Sequence, residues 1–150
     1  MIKTLIVDDN ATFRQPLCDL LRARFPTMLV AEAETIDDAW TKISELKPGL
    51  VFVDIKLREE NGLDLAGRIR KTYPDILIAV ITSSNFPEYR EAAYSCGAHY
   101  FIPKGFATSA DILMLIDSIQ SSKPPHQPPQ WTLGADYINP AAQRWQKRPR

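Results

Sequence analysis

A chain of 150 residues and 17.0 kDa has room for one domain of ordinary size and not for two. Hydrophobic residues make up 45% and charged residues 24%, the balance of a soluble globular protein able to bury its own core. With 18 Lys and Arg against 18 Asp and Glu, the formal net charge is +0, which excludes a global electrostatic attraction to nucleic acid or an anionic membrane.

Short apolar runs alternate with longer amphipathic stretches along the first four fifths of the chain. Residues 2–7 form a β-branched run that predicts a buried parallel strand. Residues 12–25 carry Phe13, Leu17, Leu20 and Leu21 at helical spacing. Pro16 is compatible with that helix only near a first turn, which predicts a late start or a kink. Residues 28–33 read as a second strand. Thr35 is placed to cap the next helix, whose apolar face is Ile36, Ala39, Trp40, Ile43 and Leu46. Residues 50–53 follow Pro48-Gly49 as a third strand, and residues 63–70 form a third helix. Residues 76–81 (Ile-Leu-Ile-Ala-Val-Ile) are the most apolar run and predict a central strand. A helix over 87–96 begins with Pro87 and ends before Gly97. A short fifth strand at 100–102 precedes a last helix at 109–119, with Ile112, Leu115, Ile116 and Ile119 on one face.

The pattern breaks near Ser122. Residues 123–150 hold six of the 12 prolines and a net charge of +4, leaving −4 on residues 1–122. We expect one domain over 1–122 and a Pro-rich basic tail or linker, disordered, over 123–150. Trp131, Tyr137 and Trp145 are unusual for pure linker, and the four cations from Arg144 to Arg150 would give only weak, salt-sensitive contact with nucleic acid. The tail is too short for a packed helix-turn-helix, so no DNA-binding domain is expected in this chain. Cys18 and Cys96 form neither a disulfide framework nor a metal set, and both are expected as buried free thiols in helices. The absence of a signal-peptide segment and of any apolar run near ~18 residues argues against membrane association and predicts a cytoplasmic location.

Five strands alternating with five helices predict an α/β fold, a single doubly wound five-stranded parallel sheet with helices on both faces. In such folds the ligand site lies beyond the carboxyl ends of the strands. Asp8 and Asp9 follow the first strand, Asp54 the third, Thr82, Ser83 and Ser84 the fourth, and Lys104 the fifth. Singly, each has an ordinary explanation as a turn, a cap or a solvated side chain. Together they bring three carboxylates, a hydroxyl and an amine to one edge. Clustered carboxylates raise each other's pKa values, and a hard cation such as Mg²⁺ relieves them through oxygen ligands. With neither His nor Cys at these strand ends, zinc is disfavoured.

These residues resemble the receiver domain of two-component response regulators, over residues 1–120 or so. The motifs are Val7-Asp8-Asp9-Asn10, Asp54 after Val51-Phe52-Val53, Thr82-Ser83, and Gly97-Ala98 with Lys104 around the fifth strand. The resemblance implies a flavodoxin-like receiver fold. It implies that Asp54 accepts a phosphoryl group from a sensor histidine kinase or phosphotransfer protein. It further implies Mg²⁺ held by Asp8, Asp9, Asp54 and the backbone carbonyl of Lys56. Thr82 and Lys104 would bind the phosphoryl oxygens, and Phe101, three residues before Lys104, would occupy the aromatic switch position. A downstream protein target and a phosphorylation-dependent homodimer are further implied partners. No separate substrate is implied: such a domain catalyses only its own aspartyl phosphorylation and dephosphorylation. Several departures stand out. Arg58 replaces the Pro often found four residues after the acceptor, although Gly62 keeps its place. Pro103 precedes Lys104, and Gly105 follows it where the family often has Pro. Lys56 and Ser84 occupy positions that vary in the family and tune the lifetime of the phosphorylated state. The rival reading is a pseudo-receiver that binds a partner without being phosphorylated. A dinucleotide domain lacks its G-x-G-x-x-G, a P-loop lacks its G-x-x-x-x-G-K-[ST], and an aspartyl phosphatase would need Asp-x-Asp after the first strand.

Overall fold

The computed structural model describes residues 2–83, 86–105 and 107–121. The expectations for Ser84 and for the tail, including Trp131, Tyr137 and Trp145, lie outside the described residues. Five parallel strands form one sheet in the order β2-β1-β3-β6-β7. They are β1 (Thr4–Val7), β2 (Val30–Ala33), β3 (Leu50–Val53), β6 (Leu77–Thr82) and β7 (Tyr100–Pro103). Between β3 and β6 in sequence, β4 (Lys56–Leu57) and β5 (Glu60–Asn61) pair as a small antiparallel ribbon. The helices are α1 (Ala11–Arg24), α2 (Ile36–Leu46), α3 (Gly62–Thr72), α4 (Pro87–Ser95) and α5 (Ser109–Gln120). Each βα unit returns to a parallel strand, and the order reverses after β2, so β1 and β3 flank the switch point. This is the flavodoxin-like arrangement.

Side-chain alternation along the strands divides the core in two. Leu5, Val7, Val51, Val53, Ile78, Val80 and Phe101 pack toward α2, α3 and α4. Ile6, Leu50, Phe52, Ala79, Ile81, Tyr100 and Ile102 pack toward α1 and α5. Strands β1 and β3 are buried along their whole length, as strands covered on both faces must be. Strand β2, at the edge, is only half-buried over most of its length.

The structure corrects several boundaries. Helix α1 starts early rather than late: Asn10 caps it, its side chain accepting from the Thr12 N–H, and the helix continues through Pro16. Pro16 lies on the exposed side, as does Thr12, whose carbonyl loses the i→i−4 partner, so the missing bond is not a buried defect. The expected second strand loses its first two residues. Met28 is instead buried below the sheet, its backbone N–H bonded to the Phe25 carbonyl. The fourth parallel strand shifts one residue forward, so Thr82 is its last residue rather than the first beyond it. That strand is interior, flanked by β3 and β7, while β3 takes the centre. Pro103 ends β7 on the sheet's edge, where the missing N–H has no ladder partner to deprive. Cys18 is buried in α1 as expected, but Cys96 is half-buried and lies just past α4 as its C-cap. Among the described residues, no helix is long and apolar enough to cross a membrane.

Candidate functional site

Parallel register brings the strand ends level. Val7 pairs with both Ala33 and Val53, and Val53 with Val80. The next residues therefore leave the sheet at one edge. Asp8 N–H still donates to the Ala33 carbonyl (3.0 Å), and Asp54 N–H to the Val7 carbonyl (3.0 Å). These ladder bonds hold the backbone of both acids while their side chains enter the pocket. On the other side, Lys104 N–H donates to the Thr82 carbonyl at 2.8 Å, fixing the point from which Lys104 reaches back.

The Lys104 ammonium lies 2.8 Å from Asp8 Oδ2 and 2.8 Å from Asp54 Oδ2. The order Pro103-Lys104 thus does not keep the lysine from the pocket. Asp8 is fully buried (0%) and Asp54 is 6% exposed. Asp8 Oδ1 accepts from the Asn10 N–H at 2.9 Å, and Asp54 Oδ1 from the Lys56 N–H at 3.3 Å. Asp9 is half-buried, and its Oδ2 accepts the Arg58 N–H at 2.9 Å. Ligand oxygens of Asp8, Asp9 and Asp54 lie within 4.8 Å of one another.

Burial pushes the Asp8 carboxyl above its ordinary value, outweighing the hydrogen bonds from Lys104 and Asn10 and the Lys104 charge. Burial pulls Lys104 the other way, yet its hydrogen bonds and charge contacts with Asp54 and Asp8 win, and its pKa is raised. Lys104 therefore stays an ammonium. Three carboxylates against that one ammonium leave a deficit that a divalent cation would neutralise. The donor set is all oxygen and suits a hard ion such as Mg²⁺.

Two glycine and backbone features shape the loop after Asp54. A Cβ on Gly62 would come within 1.8 Å of the Asp54 carbonyl oxygen, so α3 can start beneath the acceptor only with glycine there. Gly62 N–H donates to the Ile55 carbonyl at 2.7 Å, closing the loop that carries Lys56. Arg58, at the position where the family often has proline, adopts a left-handed φ of 51°, which proline cannot reach. Its N–H is the one that holds Asp9.

Thr82 and Phe101 are both fully buried. Val80 pairs with Phe101, and alternation puts Thr82 on the same face of the sheet as those two. The expected hydroxyl and aromatic thus share the face toward α4, whereas Tyr100 faces α1 and α5. Lys56 itself is exposed, with its N–H turned to Asp54.

Two neighbours of the site escaped the sequence reading. Arg14 is 6% exposed and donates to the Asp8 carbonyl at 2.5 Å, to Glu32 at 2.9 Å and to Glu34 at 3.0 Å. It ties the acidic turn to β2. Its spacing of three, four and seven from Leu17, Cys18 and Leu21 marks it as a charged residue on the buried stripe of α1. Phe13, read as an ordinary core position, lies with its ring centroid 4.3 Å from the Lys104 ammonium.

The doubly wound fold and an acidic pocket at its switch point define the class: an α/β domain with an aspartate-lysine site at the carboxyl edge of a parallel sheet. The response regulator receiver domain family matches residues 4–117. The chain belongs to this family, and it is a receiver domain of the kind used in two-component signalling. It is 34% identical over 107 residues to a sensory transduction protein, LytT, of Bacillus subtilis, covering 71% of this chain and 43% of that protein. The chain thus spans less than half the length of this curated relative. A CheY-like receiver domain protein from Methanospirillum hungatei superposes with a TM-score of 0.73 at 25% identity, covering 81% of this chain and 94% of that one. A response regulator from Burkholderia pseudomallei, solved with a phosphorylated aspartic acid, calcium ion and citrate, gives a TM-score of 0.69 at 26% identity. That match covers 81% of this chain and 72% of the other.

Proposed function

We propose that Asp54 is the phosphoacceptor of a two-component phosphorelay. The observation that carries this reading is Asp54 itself: nearly buried at the sheet edge, 2.8 Å from Lys104 and clustered with Asp8 and Asp9. A carboxylate oxygen of Asp54 forms the bond to phosphorus as the donor's P–N bond to imidazole breaks, the electron pair leaving with the imidazole. The Lys56 N–H and Lys104 orient the carboxylate. Lys104 then follows charge onto the phosphoryl oxygens. Asp8, Asp9, Asp54 and the Lys56 carbonyl would hold Mg²⁺, which when bound supplies charge neutralisation. The Burkholderia regulator, with its phosphorylated aspartic acid and calcium ion, supports the same chemistry here.

The response follows from the shared face of Thr82 and Phe101. Thr82 moves toward the new phosphoryl group, Phe101 takes up the space, and a population shift alters the partner-binding surface. The donor is a sensor histidine kinase or a phosphotransfer protein, and the reader is a downstream protein target or a second copy of this chain. The domain acts as a switch located in the cytoplasm, with catalysis confined to its own aspartyl phosphate. Incubation with acetyl phosphate and Mg²⁺ tests this reading. Label should enter wild type, be released by hydroxylamine as an acyl phosphate, and be absent from Asp54→Asn. Failure of wild type to take up label would favour the pseudo-receiver. Label persisting in Asp54→Asn would move the acceptor elsewhere.

A further inference from the structure

The proposed reaction needs Lys104 at a defined place, but a lysine has four rotatable carbons and prefers water. Its ammonium touches Asp8 and Asp54, and its third neighbour is the Phe13 ring, with the centroid 4.3 Å from Nζ. That is well inside the range at which a ring face attracts a cation, and the Lys104 side chain is only 13% exposed. Phe13 comes from α1, just after the acidic turn, and is itself only half-buried against the α1–α5 core. The first turn of α1 is held in place independently of Lys104, by the Asn10 cap and by Arg14 on the Asp8 carbonyl. The ring is therefore mounted on a fixed element, while the lysine it meets is flexible.

We propose that Phe13 is a positioning residue for Lys104. Its ring face covers the ammonium and keeps it seated on Asp8 and Asp54, in place for phosphoryl transfer. The functional half of this inference rests on the phosphoacceptor reading; the contact itself does not. Core packing alone would give Phe13→Leu the same cost whether or not the Lys104 cation is present. A cation–π contact needs the aromatic ring and vanishes when the cation does.

A double-mutant cycle separates the two. Phe13→Leu, Phe13→Tyr, Lys104→Met and the combined variants are unfolded in urea without Mg²⁺. In the Lys104 background, Phe13→Leu should lower the folding equilibrium constant by about two- to five-fold more than in the Lys104→Met background. Phe13→Tyr should retain the coupling. The rate of label uptake from acetyl phosphate should fall by a similar factor in Phe13→Leu and recover in Phe13→Tyr. Equal effects of Phe13→Leu in both backgrounds, or tyrosine no better than leucine, overturn the proposal. If coupling is present but wild type takes up no label, the positioning role stands and the phosphoacceptor reading falls. If wild type takes up label but coupling is absent, the reverse holds.

Discussion

Gly62→Ala isolates the steric condition on which the loop beneath the acceptor depends. The added Cβ would sit 1.8 Å from the Asp54 carbonyl oxygen, 2.8 Å from its carbonyl carbon and 3.1 Å from Val53 Cγ2. Contact at van der Waals distance requires about 3.3 Å between carbon and oxygen, so the two backbones must separate by roughly 1.5 Å. Neither can yield cheaply. Asp54 is held by its N–H on Val7, and Gly62 by its N–H on Ile55. Forced overpacking costs about 1–3 kcal/mol, and loss of the Gly62–Ile55 hydrogen bond adds about 1 kcal/mol. The expected loss is about 2–4 kcal/mol, or a fall in Tm of roughly 5–15 °C for a domain of this size. Gly67→Ala is the matched control. It lies in the same helix, and a methyl group there would meet nothing within 4 Å, so it should gain up to about 1 kcal/mol from helix propensity. Urea and thermal unfolding followed by circular dichroism measure both. The reasoning is refuted if Gly62→Ala unfolds within about 0.5 kcal/mol of wild type, or if the two substitutions shift stability in the same direction.

Asp9→Ala should weaken Mg²⁺ binding at least tenfold and slow phosphorylation together, as read by titration calorimetry and label uptake; wild-type affinity would remove Asp9 from the site. Glu32 makes stability depend on acid pH. Burial alone would raise its pKa, but the hydrogen bond and charge of Arg14 lower it from an ordinary 4.5. Its stabilising contribution is therefore complete above that value and is lost as pH falls through the depressed one. The stability gap between wild type and Glu32→Gln should be widest near neutrality and close below pH 4.5, and a gap that widens in acid would contradict the sign. Burial pushes the Cys18 thiol up to about 12, so it should resist a thiol reagent at pH 8 until the protein is unfolded. Fast native-state labelling at Cys18 would show that α1 opens readily.

Much of this protein is legible in its residues because two signals are local. Hydrophobic period separates strands such as Leu50–Val53 from helices such as Ile36–Leu46. The parallel βα topology that the alternation implies sends every strand's carboxyl end to one edge, so Asp8, Asp54 and Lys104 converge without any knowledge of distances. Tertiary structure decided what those signals do not encode. Lys104 meets Asp54, 50 residues away in sequence, and the still more distant Asp8, each at 2.8 Å, and strand register brings the three together. Arg58 stands where the family often has proline, and the folded loop turns that departure into a backbone donor for Asp9. The β4–β5 ribbon is too short to show a period and forms because Gly62 lets α3 close under Asp54. Phe13 has the spacing of a core residue, and it meets Lys104 because the lysine side chain reaches back from the end of β7 to the acidic turn that precedes α1. Local patterns are written in neighbouring residues, whereas these contacts are through-space consequences of how five strands align.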